Sequence, residues 1–151
     1  MTPDEAMVLA MEEARLAADH DEVPVGAVVL GAGGEVLAQR HNEREQRRDP
    51  LAHAELLAIA DAARALGQWR LVDTTMVVTL EPCPMCAGAL VNARVPRLVY
   101  GATDPKAGAC GTLFDLCTDA RLNHRVEVVA GVRGAECGAL LSSFFGARRG
   151  R

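Results

Sequence analysis

Hydrophobic residues follow two different spacings along the chain. Met7, Met11, Ala14 and Ala18 recur every three to four residues, which predicts a helix that ends near His20. Short runs rich in valine and other β-branched residues predict strands instead. The predicted strands are residues 25–30, 35–40, 75–80, 98–100 and 126–130. Helices are predicted over residues 53–66, 83–93 and 134–145, and a charged loop over 41–50.

The order of these elements indicates an α/β protein. A helix, a hairpin and then alternating helices and strands favour a mixed sheet of about five strands covered by helices. The chain has 151 residues and shows no internal repeat, linker or low-complexity segment. We therefore expect residues 1–151 to form a single domain.

Composition and charge exclude several classes of protein. Half of the residues are hydrophobic, too many for a disordered chain, and charges interrupt every apolar run before the roughly 18 residues that a membrane span needs. Asp4 and Glu5 stand where a secretory signal would be basic, so a cytoplasmic location is expected. The net charge of -4 argues against indiscriminate nucleic-acid binding, although Arg148, Arg149 and Arg151 form a basic end.

Three residues are candidate metal ligands. Cys83 and Cys86 stand three apart at the predicted start of a helix, so both can bind the same ion. A helix N-terminus also lowers the pKa of a thiol and favours the thiolate that metals bind. His53, at the start of another helix, supplies an imidazole. Two thiolates and one imidazole suit zinc.

The number of ligands bears on catalysis. Three protein ligands leave the fourth position of a zinc site for water, as in catalytic sites. Glu55, two residues after His53, could reach that water and act as a proton shuttle. The combination of H-x-E with P-C-x-x-C is the pattern of zinc-dependent deaminases of nucleobases.

Other interpretations remain at this point. A structural zinc site would need a fourth ligand from Cys110, Cys117, Cys137 or His124, and the Cys83–Cys86 pair could be redox-active. The three other cysteines are expected to be small core residues. Trp69 is expected to pack under the strand that follows it.

The chain resembles the bacterial tRNA-specific adenosine deaminases over nearly its whole length. The metal motif alone is shared with cytosine, guanine and cytidine deaminases, whereas the segments around it are more particular to the tRNA enzymes. The matching segments are residues 22–27, Asn42, residues 49–50, 53–55, 78–83 and 85–89, residues 101–102, Asp104, Lys106, residues 123–125, 144–145 and 148–149.

This resemblance implies a homodimer with the cytidine deaminase-like three-layer fold. It implies hydrolytic conversion of adenosine to inosine at the wobble position of the tRNA anticodon loop. One zinc ion per subunit would be held by His53, Cys83 and Cys86, and Glu55 would move protons.

The resemblance also implies which residues bind the substrate. Asn42 and the backbone of Ala54 would contact the flipped base; taken alone, Asn42 could equally cap its own backbone. Residues near the anticodon loop would be Asp104, Lys106, Phe145 and Arg149. Two alternatives are a free-base deaminase acting on guanine or cytosine, and a non-catalytic, zinc-stabilised RNA-binding protein.

Overall fold

Helices cover both faces of a five-stranded sheet in the computed structural model, which describes residues 1–149 and, of Arg149, only the backbone. The helices are α1 (Pro3–Asp19), α2 (Arg44–Arg47), α3 (Ala54–Leu66), α4 (Pro84–Asn92) and α5 (Gly134–Arg149). The strands are β1 (Gly26–Leu30), β2 (Val36–His41), β3 (Thr75–Leu80), β4 (Arg97–Ala102) and β5 (Glu127–Val129).

The sheet combines an antiparallel half with a parallel half. Its strand order is β2-β1-β3-β4-β5. Strand β1 pairs antiparallel with β2 and β3, whereas β3–β4 and β4–β5 are parallel. The parallel connection from β3 to β4 runs through α4, as a crossover requires. The predicted mixed sheet of about five strands covered by helices is confirmed.

Alternating side chains of the central strands fill two separate cores. Val28, Val77 and Val99 face α1 and α5, where Met7 and Met11 complete the packing. Their neighbours on the same strands point to the opposite face and pack against α3 and α4, because successive side chains of a strand alternate. This second core contains Ala27, Val29, Met76, Val78, Leu98 and Tyr100.

Helix α1 approaches the sheet closely at Gly26. A Cβ atom at this position would lie 1.8 Å from the carbonyl oxygen of Ala10. The Gly26 N–H donates to the Thr79 hydroxyl at 3.2 Å. Only glycine therefore fits between α1 and β1 at this position.

Two elements differ from the sequence-based expectation. Helix α2 lies inside the predicted loop 41–50, because the buried Glu22 carboxylate accepts hydrogen bonds from the backbone of Glu45 and Gln46. Helix α5 continues beyond Phe145, the predicted end. Its last turn is tied down by Arg148, which forms an ion pair with Asp21 at 3.0 Å.

The expected packing of Trp69 under a strand is wrong. Its side chain is exposed, and the guanidinium groups of Arg70 and Arg94 lie 4.4 and 5.7 Å from the ring centroid. The Trp69 ring therefore contacts two arginine side chains and does not pack into the hydrophobic core. Within the described part of the chain, no helix is both long enough and apolar enough to cross a membrane.

Candidate active site

Two helix starts bring the candidate metal ligands together. His53 is the N-cap residue of α3, and Cys83 is the N-cap residue of α4, with Pro84 at the first helical position. Cys86 follows in the first turn of α4. The Nδ1 atom of His53 lies 3.7 Å from the Sγ of Cys83 and 3.6 Å from the Sγ of Cys86.

These distances fit a tetrahedral metal site. Zinc binds sulfur at about 2.3 Å and nitrogen at about 2.0 Å, so a tetrahedral angle separates the N and S ligands by about 3.5 Å. The ligand atoms of His53, Cys83 and Cys86 all lie within 4.8 Å of one another. Among residues 1–149, this group includes no fourth His, Cys, Asp or Glu side chain. The three residues can therefore hold a metal ion and leave one coordination position to a small molecule.

The two thiols differ in their electrostatics. A hydrogen bond from Cys86 lowers the pKa of the Cys83 thiol to about 4, although burial acts in the opposite direction. The pKa of Cys86 is raised by the same contact and by burial. The Cys83 thiol therefore forms the thiolate that a metal ion binds more readily than the Cys86 thiol does.

Glu55 is the buried carboxyl group beside this cluster. Its side chain is 4% exposed, in the first turn of α3. Burial raises the pKa of the Glu55 carboxyl to about 7. A carboxyl group with a pKa near neutral can both accept and donate a proton at the operating pH of most enzymes.

Three of these four residues adjoin one open cavity of about 210 Å³, and the fourth, Cys86, is buried behind them. His53, Glu55 and Cys83 line it directly, and Asn42 and Ala54 form part of its wall. This volume is below the roughly 300–1,000 Å³ of sites for drug-sized ligands, and suits one small ring system.

Asn42 both caps a backbone and faces the cavity. Its Oδ1 accepts from the Arg44 N–H at 3.1 Å, and its Nδ2 donates to the Val23 carbonyl at 3.3 Å. The capping role considered from the sequence is therefore present. Each end of the amide retains one further hydrogen-bonding position, because the oxygen has two lone pairs and the nitrogen two hydrogens.

A second cavity adjoins the first. It shares the lining residues Val23, Leu80 and Asp104 with the first cavity and continues to Lys106 and Phe145. Three of the four predicted RNA-contacting side chains thus lie along one groove. The fourth prediction, the side chain of Arg149, lies outside the described residues.

Sequence reasoning missed two buried carboxylates at this site. Glu22 is fully buried and accepts from the N–H groups of Glu45 and Gln46 at 3.0 and 2.7 Å, so it holds α2 beside Asn42. Glu81 is 1% exposed and lies two residues before Cys83. Both residues lie in segments that match the tRNA enzymes, 22–27 and 78–83, and each stands directly next to an apolar segment, but neither signal identifies its hydrogen-bond donors.

The remaining cysteines behave as core residues, as predicted. Cys110, Cys117 and Cys137 are buried, and the first two lie 3.5 Å apart, Sγ to Sγ. Cys137 lies in the core on the other side of the sheet from α4. The imidazole of His124 is hydrogen-bonded to the Val95 carbonyl at 2.7 Å.

Comparison with known proteins agrees with this geometry. The family model of MafB19-like deaminases matches residues 1–149. A tRNA-specific adenosine deaminase of Bacillus subtilis (strain 168) is 53% identical over 146 residues, which cover 96% of this chain and 90% of that protein. A relative of the same name from Haemophilus influenzae is 43% identical over 147 residues, which cover 97% of this chain and 85% of that protein.

Solved structures show the same similarity. One from a study of A-to-I editing by tRNA:A34 deaminases matches with a TM-score of 0.86 and 43% identity, covering 89% of this chain and 97% of that chain. A guanine deaminase of Nitrosomonas europaea matches with a TM-score of 0.80 and 28% identity, and the match covers 95% of this chain and 84% of that chain.

The layered sheet and the His-Cys-Cys cluster beside a buried glutamate define a deaminase with a group of residues that can hold a metal ion. Both the family model and the relatives agree on this class. The chain belongs to the tRNA-specific adenosine deaminase family.

Proposed function

We propose that this protein is a single-domain, zinc-dependent hydrolase that converts adenosine to inosine at the wobble position of a tRNA anticodon loop. The observation that carries the proposal is that the cluster of His53, Cys83 and Cys86 lies beside Glu55, with His53, Cys83 and Glu55 lining one small open cavity. The relatives named for this activity support the choice of substrate.

His53, Cys83 and Cys86 would hold one zinc ion per subunit. When bound, zinc would supply a Lewis acid that lowers the pKa of a water molecule for attack on the ring carbon. Glu55 would accept a proton from water and deliver protons to the ring nitrogen and to the departing ammonia. Its position in the first turn of α3 and its raised pKa suit both transfers.

Asn42 and Ala54 would orient the base. Asn42 lines the cavity and its amide retains hydrogen-bonding capacity, and the Ala54 N–H is at the first position of α3, where helices leave N–H groups without an intrahelical acceptor. A base of a single-stranded loop unstacks at small cost, so an anticodon loop can deliver one base into this cavity.

The groove that continues from the cavity would hold the neighbouring nucleotides. Lys106 and Phe145 are exposed there and offer a cation for a phosphate and an aromatic ring for stacking. Asp104 and Arg149 complete the proposed RNA-binding set. An enzyme acting on tRNA in a bacterium would work in the cytoplasm.

We also propose a homodimer. Helix α4 carries the small residues Ala87, Gly88 and Ala89, and a Cβ added at Gly88 would meet nothing within 4 Å. Leu113 and Phe114 are more than half exposed. Light scattering coupled to size-exclusion chromatography tests this assembly.

The second candidate is a free-base deaminase, favoured by the structural match to guanine deaminase. The experiment that separates the two candidates is incubation of purified protein with adenosine-containing anticodon stem-loops and, separately, with guanine and cytosine. Nucleoside analysis should show inosine from a stem-loop and no change in either free base. Turnover of a free base without inosine in RNA would instead select the second candidate.

A further inference from the structure

Glu81 is a buried residue outside the His53, Cys83 and Cys86 group, and it adjoins the same cavity. Its Oε1 accepts from the Asp104 N–H at 3.0 Å and from the Thr112 hydroxyl. Its Oε2 accepts from the N–H groups of Cys110 and Thr112 at 3.0 and 3.1 Å. Both oxygens thus have two donors each, which satisfies all four lone pairs.

These bonds explain how a carboxyl group is tolerated in the interior at this position. A buried carboxylate is costly unless hydrogen bonds replace its water, and bonds to a charged acceptor are stronger than neutral ones. All four donors belong to residues 104–112, which are 23 to 31 positions away in the chain. The path of this segment, here called the 104–112 loop, therefore follows the two oxygens of the Glu81 side chain.

Gly108 shows how closely the loop surrounds the carboxylate. A Cβ atom at this position would lie 2.5 Å from the Cδ and Oε1 atoms of Glu81 and 2.6 Å from the carbonyl oxygen of Asp104. The loop therefore needs glycine at the point where it passes over the carboxylate.

The same loop forms a wall of the catalytic cavity. Asp104 and Ala107 line the cavity, and Lys106 extends into the adjoining groove. A further bond, from the Ala109 N–H to the Pro82 carbonyl at 2.9 Å, ties the loop to the segment that carries Cys83. Displacing the loop would widen the cavity on the side where neighbouring nucleotides enter.

We propose that Glu81 is a positioning residue that holds the 104–112 loop against the metal-ligand segment and thereby shapes the RNA entrance. This inference rests on the proposed function for its substrate. The loop lines the cavity, and the bonds described above tie it to Glu81 and Pro82, not to a candidate metal ligand, so its displacement should weaken RNA binding more than the chemical step.

The primary test is Glu81→Gln in the full-length, zinc-loaded protein. The amide replaces one acceptor oxygen with a donor that faces two N–H or O–H donors. We expect the KM for the anticodon stem-loop to rise by about tenfold or more, with kcat changed less than about threefold and zinc content unchanged. Hydrogen–deuterium exchange should accelerate in peptides covering the 104–112 loop.

Thr112 provides a milder test if Glu81→Gln does not fold. Thr112→Val removes one donor to Glu81, whereas Thr112→Ser keeps it, so the first should raise KM and loop exchange and the second should restore both. Thr74→Val is the matched control, because it removes a hydroxyl bond to the Leu71 carbonyl at the opposite end of β3 from Glu81 and should leave KM unchanged.

The outcomes separate this inference from the proposed function. Unchanged KM and loop exchange in Glu81→Gln and Thr112→Val would overturn it, as would a loss of kcat and zinc with KM unchanged. If the wild-type protein makes no inosine, the proposed function fails. Loop exchange alone then decides whether Glu81 holds the loop.

Discussion

The Nδ1 atom of His53 lies 3.6 Å from the Sγ of Cys86, although 33 residues separate them in the chain. The starts of α3 and α4 bring these atoms together at the carboxyl end of β3. Three ligand atoms with this spacing supply three corners of a tetrahedral metal site.

Replacing one sulfur ligand should weaken metal binding. We expect Cys86→Ser to reduce zinc affinity by more than the roughly 10–100-fold lost when an outer-shell partner is removed, because a direct ligand is lost. Competition with a chromophoric chelator measures this change. Cobalt-substituted wild-type protein should show sulfur-to-cobalt charge-transfer bands of a four-coordinate ion. Cys137→Ser, in the opposite core, should retain both properties.

Removing the carboxylate of Glu55 should stop catalysis without removing the metal. Glu55→Gln keeps the size of the side chain but cannot transfer protons. We expect kcat to fall by about 10²–10⁴-fold, the usual contribution of a general acid–base group. Zinc content by mass spectrometry should remain at the wild-type value. Activity within threefold of wild type would contradict the role of proton shuttle.

Lys106 should contribute to the salt dependence of RNA binding. It is the single lysine of the chain and lies exposed in the groove beside the cavity. We expect Lys106→Ala to reduce the slope of log K against log salt concentration by about 0.7, the value for one phosphate contact on a single strand. Titrations of a labelled stem-loop at several salt concentrations give this slope.

Arg121→Ala is the matched control for Lys106. The Arg121 guanidinium is also exposed, but it is paired with Asp119 at 2.7 Å. We expect the slope to be unchanged in this variant. Equal slopes in the Lys106→Ala variant and wild type would show that Lys106 contacts no phosphate.

Gly26 should be intolerant of any side chain. Gly26→Ala would place a methyl group against the Ala10 carbonyl oxygen and push α1 away from β1. We expect the free energy of unfolding to fall by about 3 kcal/mol, at the upper end of the usual cost of overpacking. Gly146→Ala, in α5 with nothing within 4 Å, should instead raise it by about 0.5–1 kcal/mol. Chemical denaturation of both variants tests the difference.

The sequence by itself determined the features that depend on local spacing. Hydrophobic periodicity predicted all five strands and four of the five helices, because each element must present an apolar face to the core. The inference that Cys83 and Cys86 can bind the same metal ion also follows from helix geometry, since residues three apart share a face. These inferences require no knowledge of distant contacts.

Tertiary structure alone decided the features that depend on distant partners. Helix α2 has four residues and no side-chain cap of its own, and it exists because Glu22 accepts from its N–H groups across 23 residues. The 104–112 loop takes its path from Glu81, and the end of α5 from Asp21. A buried charge is stable only where folding supplies its donors, and no local pattern identifies donors that lie tens of residues away.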